Sequence, residues 1–191
     1  MKIIWQGTDS LYLVKFPKQL KWTKIFYIIA LRVFAKLGDI ITAEHLCCGP
    51  LVKKNLVKFG MKKPLIDYAS PIHIPQMQKT IHSTFNILYY KINKTRMQQW
   101  LYGYDIYLQI KKYYRNEIDI NFIEVDGSFH MGNIYPITDL YIRPNRHDGN
   151  PRMKREAETY GISTICTLEN PDINYFLEHI SLKYKLWRKN K

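Results

Sequence analysis

Residues 139–167, DLYIRPNRHDGNPRMKREAETYGISTICT, constrain the fold of this chain more than any other stretch. Asp139 to Arg143 is a short apolar run closed by Pro144, which predicts a buried strand. Residues 145–150 are turn formers, and Pro151 suits the first position of a helix, where its missing N–H costs nothing. Arg152 to Tyr160 reads as helix, Gly161 as its stop, and Ile162 to Thr167 as a β-branched strand. Two strands joined through a helix predict parallel pairing. The conspicuous polar residues then fall at the carboxyl end of a strand, where open parallel sheets bind ligands.

Two carboxylates stand out in this stretch. Asp148 precedes the helix and Glu156 lies within it, with seven residues between them. A helix start offers free N–H groups and a positive dipole end to a diphosphate, and carboxylates accept hydrogen bonds from sugar hydroxyls. The plainer alternative is that Asp148 caps the helix and Glu156 sits on a solvated face. In the pattern Asp148-Gly149-x-Pro151, then Glu156-Ala157, then Gly161-Ile162-x-x-Ile165, the segment resembles the nucleotide-sugar signature of retaining GT-B glycosyltransferases, especially family 4. Asp148 stands where that family usually carries Glu. The resemblance implies that Glu156 holds the ribose hydroxyls, that Asp148 faces the sugar, and that Gly149 and Asn150 stabilise the leaving diphosphate.

Other segments follow the same order of parts. Lys2 to Gln6 reads as a strand, which Leu11 to Val14 extends or pairs with. Residues 19–37 read as an amphipathic helix stopped by Gly38, and Asp39 to Ala43 as the next strand. Gly49-Pro50 opens a helix to Phe59, ended by Gly60, before a strand over Lys63 to Asp67 and a loop with Pro71 and Pro75. Leu37 to Ala43, Val57 to Gly60 and the Pro71–Pro75 crossover match the end of a GT-B N-terminal domain. At the usual domain size most of such a domain is missing, which leaves a sheet edge uncovered. Then come a strand over Phe85 to Tyr90, a polar loop 91–96, a helix over Gly103 to Tyr114 and a strand over Asp119 to Val125. By the resemblance, Lys91, Lys94 and Arg96 in that loop clamp the donor diphosphate, and Asp9 is the acceptor-side residue. Tyr135 reads as core or as a surface for stacking on a base. Asn170-Pro171-Asp172 caps a helix over Ile173 to Ile180.

The net charge of +13 is unevenly distributed. Residues 15–63 hold eleven Lys and Arg against only Asp39 and Glu44, and residues 181–191 add five basic groups and no acidic one. Interleaved with Trp22, Phe26, Tyr27, Leu186 and Trp187, this charge suits an anionic membrane surface; nucleic acid and plain solubility are the other readings. The three cysteines, Cys47, Cys48 and Cys166, form no disulfide framework and fit reduced thiols in the cytoplasm. The six histidines show no ligand spacing.

These observations set the expectations. The fold is α/β, Rossmann-like GT-B, with parallel sheets flanked by helices and a shortened N-terminal domain over 1–80. A nucleotide-sugar domain spans 84–180, and a basic C-terminal helix spans 181–191. The expected activity is retaining glycosyl transfer from a nucleotide-diphosphate sugar, with no cofactor or metal. The competing reading is a donor-binding subunit that is non-catalytic or depends on a partner, or a module for a nucleotide or nucleic acid. Expected partners are the nucleotide sugar, an anionic membrane surface reached peripherally, and a second chain or second copy completing the N-terminal domain; nucleic acid is not an expected partner.

Overall fold

The computed structural model describes residues 2–5, 13, 22–68, 78–92, 95–146, 151–167 and 169–191, without the side chains of 22–24. Two units each carry their own parallel sheet. The first contains β1 (Lys2–Trp5), α1 (Trp22–Ile41), β2 (Glu44–Cys47), α2 (Pro50–Phe59) and β3 (Leu65–Asp67), with strand order β1-β2-β3. Its core gathers Trp5, Leu13, Ala35, Cys47, Val52 and Leu56. Gly60, in the left-handed region at φ 82°, ends α2 as its sequence position implies.

A buried polar triad fastens this unit together. Trp5 Nε1 donates to His45 Nδ1 at 3.1 Å. Indole N–H can only donate, so Nδ1 is the acceptor and the ring proton sits on Nε2, which faces Asp39 Oδ1 at 2.9 Å. Asp39 also accepts from the backbone N–H groups of Lys62 and Lys63, at 2.9 and 3.1 Å. One carboxylate therefore ties the end of α1 to the middle strand and to the turn before β3. Burial alone would raise its pKa, but hydrogen bonds from Lys62, His45 and Lys63 outweigh that and hold it at about 2.

Two expectations are corrected in this unit. Gly38 does not stop the helix, and Asp39 to Ile41 is not strand: α1 runs through to Ile41, and β2 begins at Glu44. Gly38 sits close to β1, where a Cβ would lie 2.6 Å from Ile3 Cδ1 and the tip of that side chain would have to shift. The glycine lets the helix lie tight on β1. Leu37 to Ile41 is thus helical, not the strand that the resemblance implies. Leu13 is helical and buried rather than extended, while its neighbours 11, 12 and 14, and the Pro71–Pro75 crossover, lie outside the described residues.

The second unit contains β4 (Phe85–Tyr90), α3 (Arg96–Leu101), α4 (Tyr104–Tyr113), β5 (Ile120–Val125), β6 (Leu140–Pro144), α5 (Arg152–Thr159), β7 (Ser163–Thr167) and α6 (Ile173–Lys189). All four strands are parallel, in the order β5-β4-β6-β7. Alternation along β4 feeds two cores. Phe85, Ile87 and Tyr89 meet α4 and α6 on one face, where Tyr89 and Tyr107 stack at 4.0 Å. Leu88 meets Tyr135, Tyr141, Ala157 and Ile162 on the other. Helices cover both faces of a parallel sheet, the Rossmann-like arrangement expected from the sequence.

The strands over 85–90, 120–125, 140–144 and 163–167 lie where alternation and turn residues put them. Three differences are local. Pro151 is the N-cap of α5 rather than its first residue. The polar loop after β4 gives way to α3, whose capping box joins Thr95 and Gln98. The basic tail is not a separate helix, because α6 runs unbroken from Ile173 and buries Phe176, Ile180 and Tyr184.

Asp39 has a testable signature. Its folded pKa lies below the ordinary 3.8, so the stability it contributes is complete above that value and lost as pH falls through about 2. Thermal melts between these limits should show an acid limb that Asp39→Asn flattens. Asp39→Ala strands the His45 ring N–H and two backbone N–H groups, and should cost about 3 kcal/mol or more at neutral pH.

Candidate functional site

The strand order places a reversal between β4 and β6. From β4 the chain crosses to β5 on one side, and from β5 it returns past β4 to β6 on the other. The connections leaving the carboxyl ends of β4 and β6 therefore diverge, which opens a crevice in doubly wound sheets.

The α3–α4 elbow packs over the carboxyl end of β6. Gly103, at φ 69°, comes so close that a Cβ would lie 1.8 Å from the Pro144 carbonyl oxygen. Arg146 N donates to Leu101 O at 2.9 Å. The Arg146 guanidinium makes a two-pronged pair with Asp105, 2.7 Å on each side, and lies 4.6 Å from the centre of the Trp100 ring. Burial would raise the Asp105 pKa, but Arg146 outweighs it and holds the carboxyl below the usual range. Arg143 is buried in the same place, donating to Tyr141 Oη at 3.1 Å with its guanidinium 5.0 Å from the Tyr102 ring. Two arginines thus stand at the carboxyl end of one strand.

Glu156 occupies the middle of α5. Tyr135 Oη donates to its Oε2 at 2.7 Å, and Arg152 Nε donates to its Oε1 at 2.6 Å. Tyr135 is buried within the core and packed on Tyr160, which settles its sequence reading in favour of core. Burial, and then Glu156 itself, push the Tyr135 hydroxyl far above the usual range, so it stays a donor. The two oxygens of Glu156 are held unequally. One is fixed by a buried phenol, the other by an Arg152 side chain that is 72% exposed, a pairing of little energetic weight.

Lys91 follows β4 but reaches toward β5, the side away from β6. Its ammonium lies 3.7 Å from Glu124 and 5.0 Å from the centre of the Tyr104 ring. The Tyr104 contact, and then Glu124, keep it above the usual lysine range. Arg96 is exposed at the first position of α3. Asp148, Gly149, Asn150, Lys94 and Asp9 lie outside the described residues. Of the expected residues, the structure therefore locates Glu156, Lys91 and Arg96 and draws Lys91 away from β6. Arg143 and Arg146 were not among the expected residues. The available signal was a charged residue inside the otherwise apolar run Leu140 to Pro144.

No protein-family model matches this chain, and no curated protein matches it. Among the described residues, no three or more His, Cys, Asp or Glu side chains group to hold a metal ion.

Two glycines with similar backbone angles separate strain from space. Gly161, at φ 72°, has nothing within 4 Å of a Cβ, so Gly161→Ala should cost only about 1–2 kcal/mol. Gly103→Ala meets a backbone oxygen as well, and should cost about 3 kcal/mol or more. Denaturant titration of both variants checks the difference.

Proposed function

We propose that this chain is a nucleotide-binding α/β protein, with the phosphates received at the strand-order reversal of the second sheet. The observation that carries the reading is the reversal itself, with Arg143 buried at the end of β6 and α5 starting just after it. A guanidinium and a helix start are the groups that hold phosphate. Glu156 supplies the second element. A ligand hydroxyl can displace the exposed Arg152 from one carboxylate oxygen while Tyr135 keeps the other aligned. That is the behaviour needed for a sugar hydroxyl, which fits a nucleotide or nucleotide sugar.

This places binding ahead of transfer. A GT-B-like donor-binding subunit is the form of this reading that the sequence resemblance suggests. Glycosyl transfer is the further step, in which the resemblance gives Asp148 the place facing the sugar and Asp9 the acceptor side. The leaving diphosphate would be stabilised by fixed charges and backbone N–H groups.

Thermal denaturation against UDP-, GDP-, ADP- and CMP-sugars tests the proposal. A true ligand at a hundred times its Kd should add about 2.7 kcal/mol to the wild type. Glu156→Gln should lose most of that increment while keeping its own melting temperature. If none of the four stabilises the wild type, the proposal fails. If one stabilises it and transfer of labelled sugar onto an acceptor in a cell-lipid extract is also catalysed, the transferase reading is established as well.

A further inference from the structure

The outward side of α1 is apolar from Phe26 to Ile40. Phe26, Ile29, Val33, Leu37 and Ile40 succeed one another at helical spacing, with Phe34 beside them, and each is 49–72% exposed. The stripe runs roughly 21 Å at the ordinary rise of a helix. The opposite side of the helix, with Ile28, Ala35, Gly38 and Asp39, is the one turned into the unit. A surface helix that buries an aspartate and presents phenylalanines has its pattern inverted, and exposed apolar areas of this extent mark an interaction surface.

The charges around the stripe identify its occupant. Within the exposed stripe there is no charged residue. Lys36 borders it, and its ammonium donates to the carbonyls of Phe59 and Gly60 at the end of α2. Exposed Lys58 and Lys62 flank those two residues in the chain. A second copy docked on the stripe would bring these like charges together, against a chain net charge of +13. An anionic bilayer surface satisfies both features: its acyl boundary takes the aromatic and aliphatic side chains, and its headgroups take the exposed Lys58 and Lys62. No described helix is long and apolar enough to cross a membrane, so the contact is with the surface. We infer that α1 is the membrane-docking face of this protein, with anionic lipid as its partner. This inference does not depend on the nucleotide site.

Vesicle flotation tests it with two compositions, phosphatidylcholine alone and an equal mixture with phosphatidylglycerol. The wild type should float with the mixed vesicles, and salt should weaken the association. The exposed pair Val33→Gln and Leu37→Gln should partition about tenfold or more weakly at an unchanged melting temperature. Lys58→Gln with Lys62→Gln should remove the preference for the mixed vesicles and leave the stripe intact. Absence of flotation, or equal flotation with both compositions, overturns the proposal. So does a wild-type dimer in sedimentation velocity that the Val33 and Leu37 substitutions dissociate, because a second copy would then be the occupant.

Discussion

The second unit depends on the burial of β4. Parallel strands are joined only by long crossovers, and the crossovers must cover the faces of the sheet. With β5 on one edge and β6 on the other, β4 has both edges paired, and its alternating side chains meet helices on one face and the α5 layer on the other. The reversal of strand order follows from that position. The chain leaves β4 in one direction and β6 in the other, the arrangement at whose strand ends open parallel sheets bind ligands. The proposed phosphate site would then follow from how the sheet is covered.

The first unit solves the same problem incompletely. Its sheet has three short strands, and Ile4, Leu46 and Ile66 stand in register on a face only partly shielded. The Trp5–His45–Asp39 triad adds cohesion, with one carboxylate of α1 collecting three hydrogen bonds from β2 and from the turn before β3. Helix α1 is committed to that carboxylate on one side and left apolar on the other. A thin unit fastened by a polar triad can leave a large apolar face for an external surface.

The sequence made the second sheet legible and the first much less so. The strands of the second sheet are dense apolar runs bounded by Gly, Pro and Asn, and α5 lies between a proline and a glycine with ordinary meanings. Gly38 misled because it lies inside the helix against Ile3, a residue distant in sequence whose side-chain tip comes within 2.6 Å of a Cβ there. The run Asp39-Ile40-Ile41 reads as β-branched strand, but its aspartate is needed at His45, which holds it in the helix. Phe26, Ile29, Val33 and Phe34 mark an amphipathic helix, yet they lie on the face that α1 turns outward, since α1 is apolar on nearly every side. The α3–α4 elbow could not be read because its partners, Arg146 and Asp105, are 41 residues apart. Glu156 was legible as a residue; the tyrosine that orients it was read as core without its hydrogen bond.

The central claim is that phosphate is received where β4 and β6 part. Backbone amide NMR of the full chain, titrated with inorganic pyrophosphate, locates that contact directly, because pyrophosphate is common to all the nucleotide diphosphates in question. The account predicts shifts concentrated in the residues following β4, in Arg143 to Arg146 and in the first turn of α5. Shifts confined to the lysines of α2 and the end of α6, with those segments silent, would contradict it.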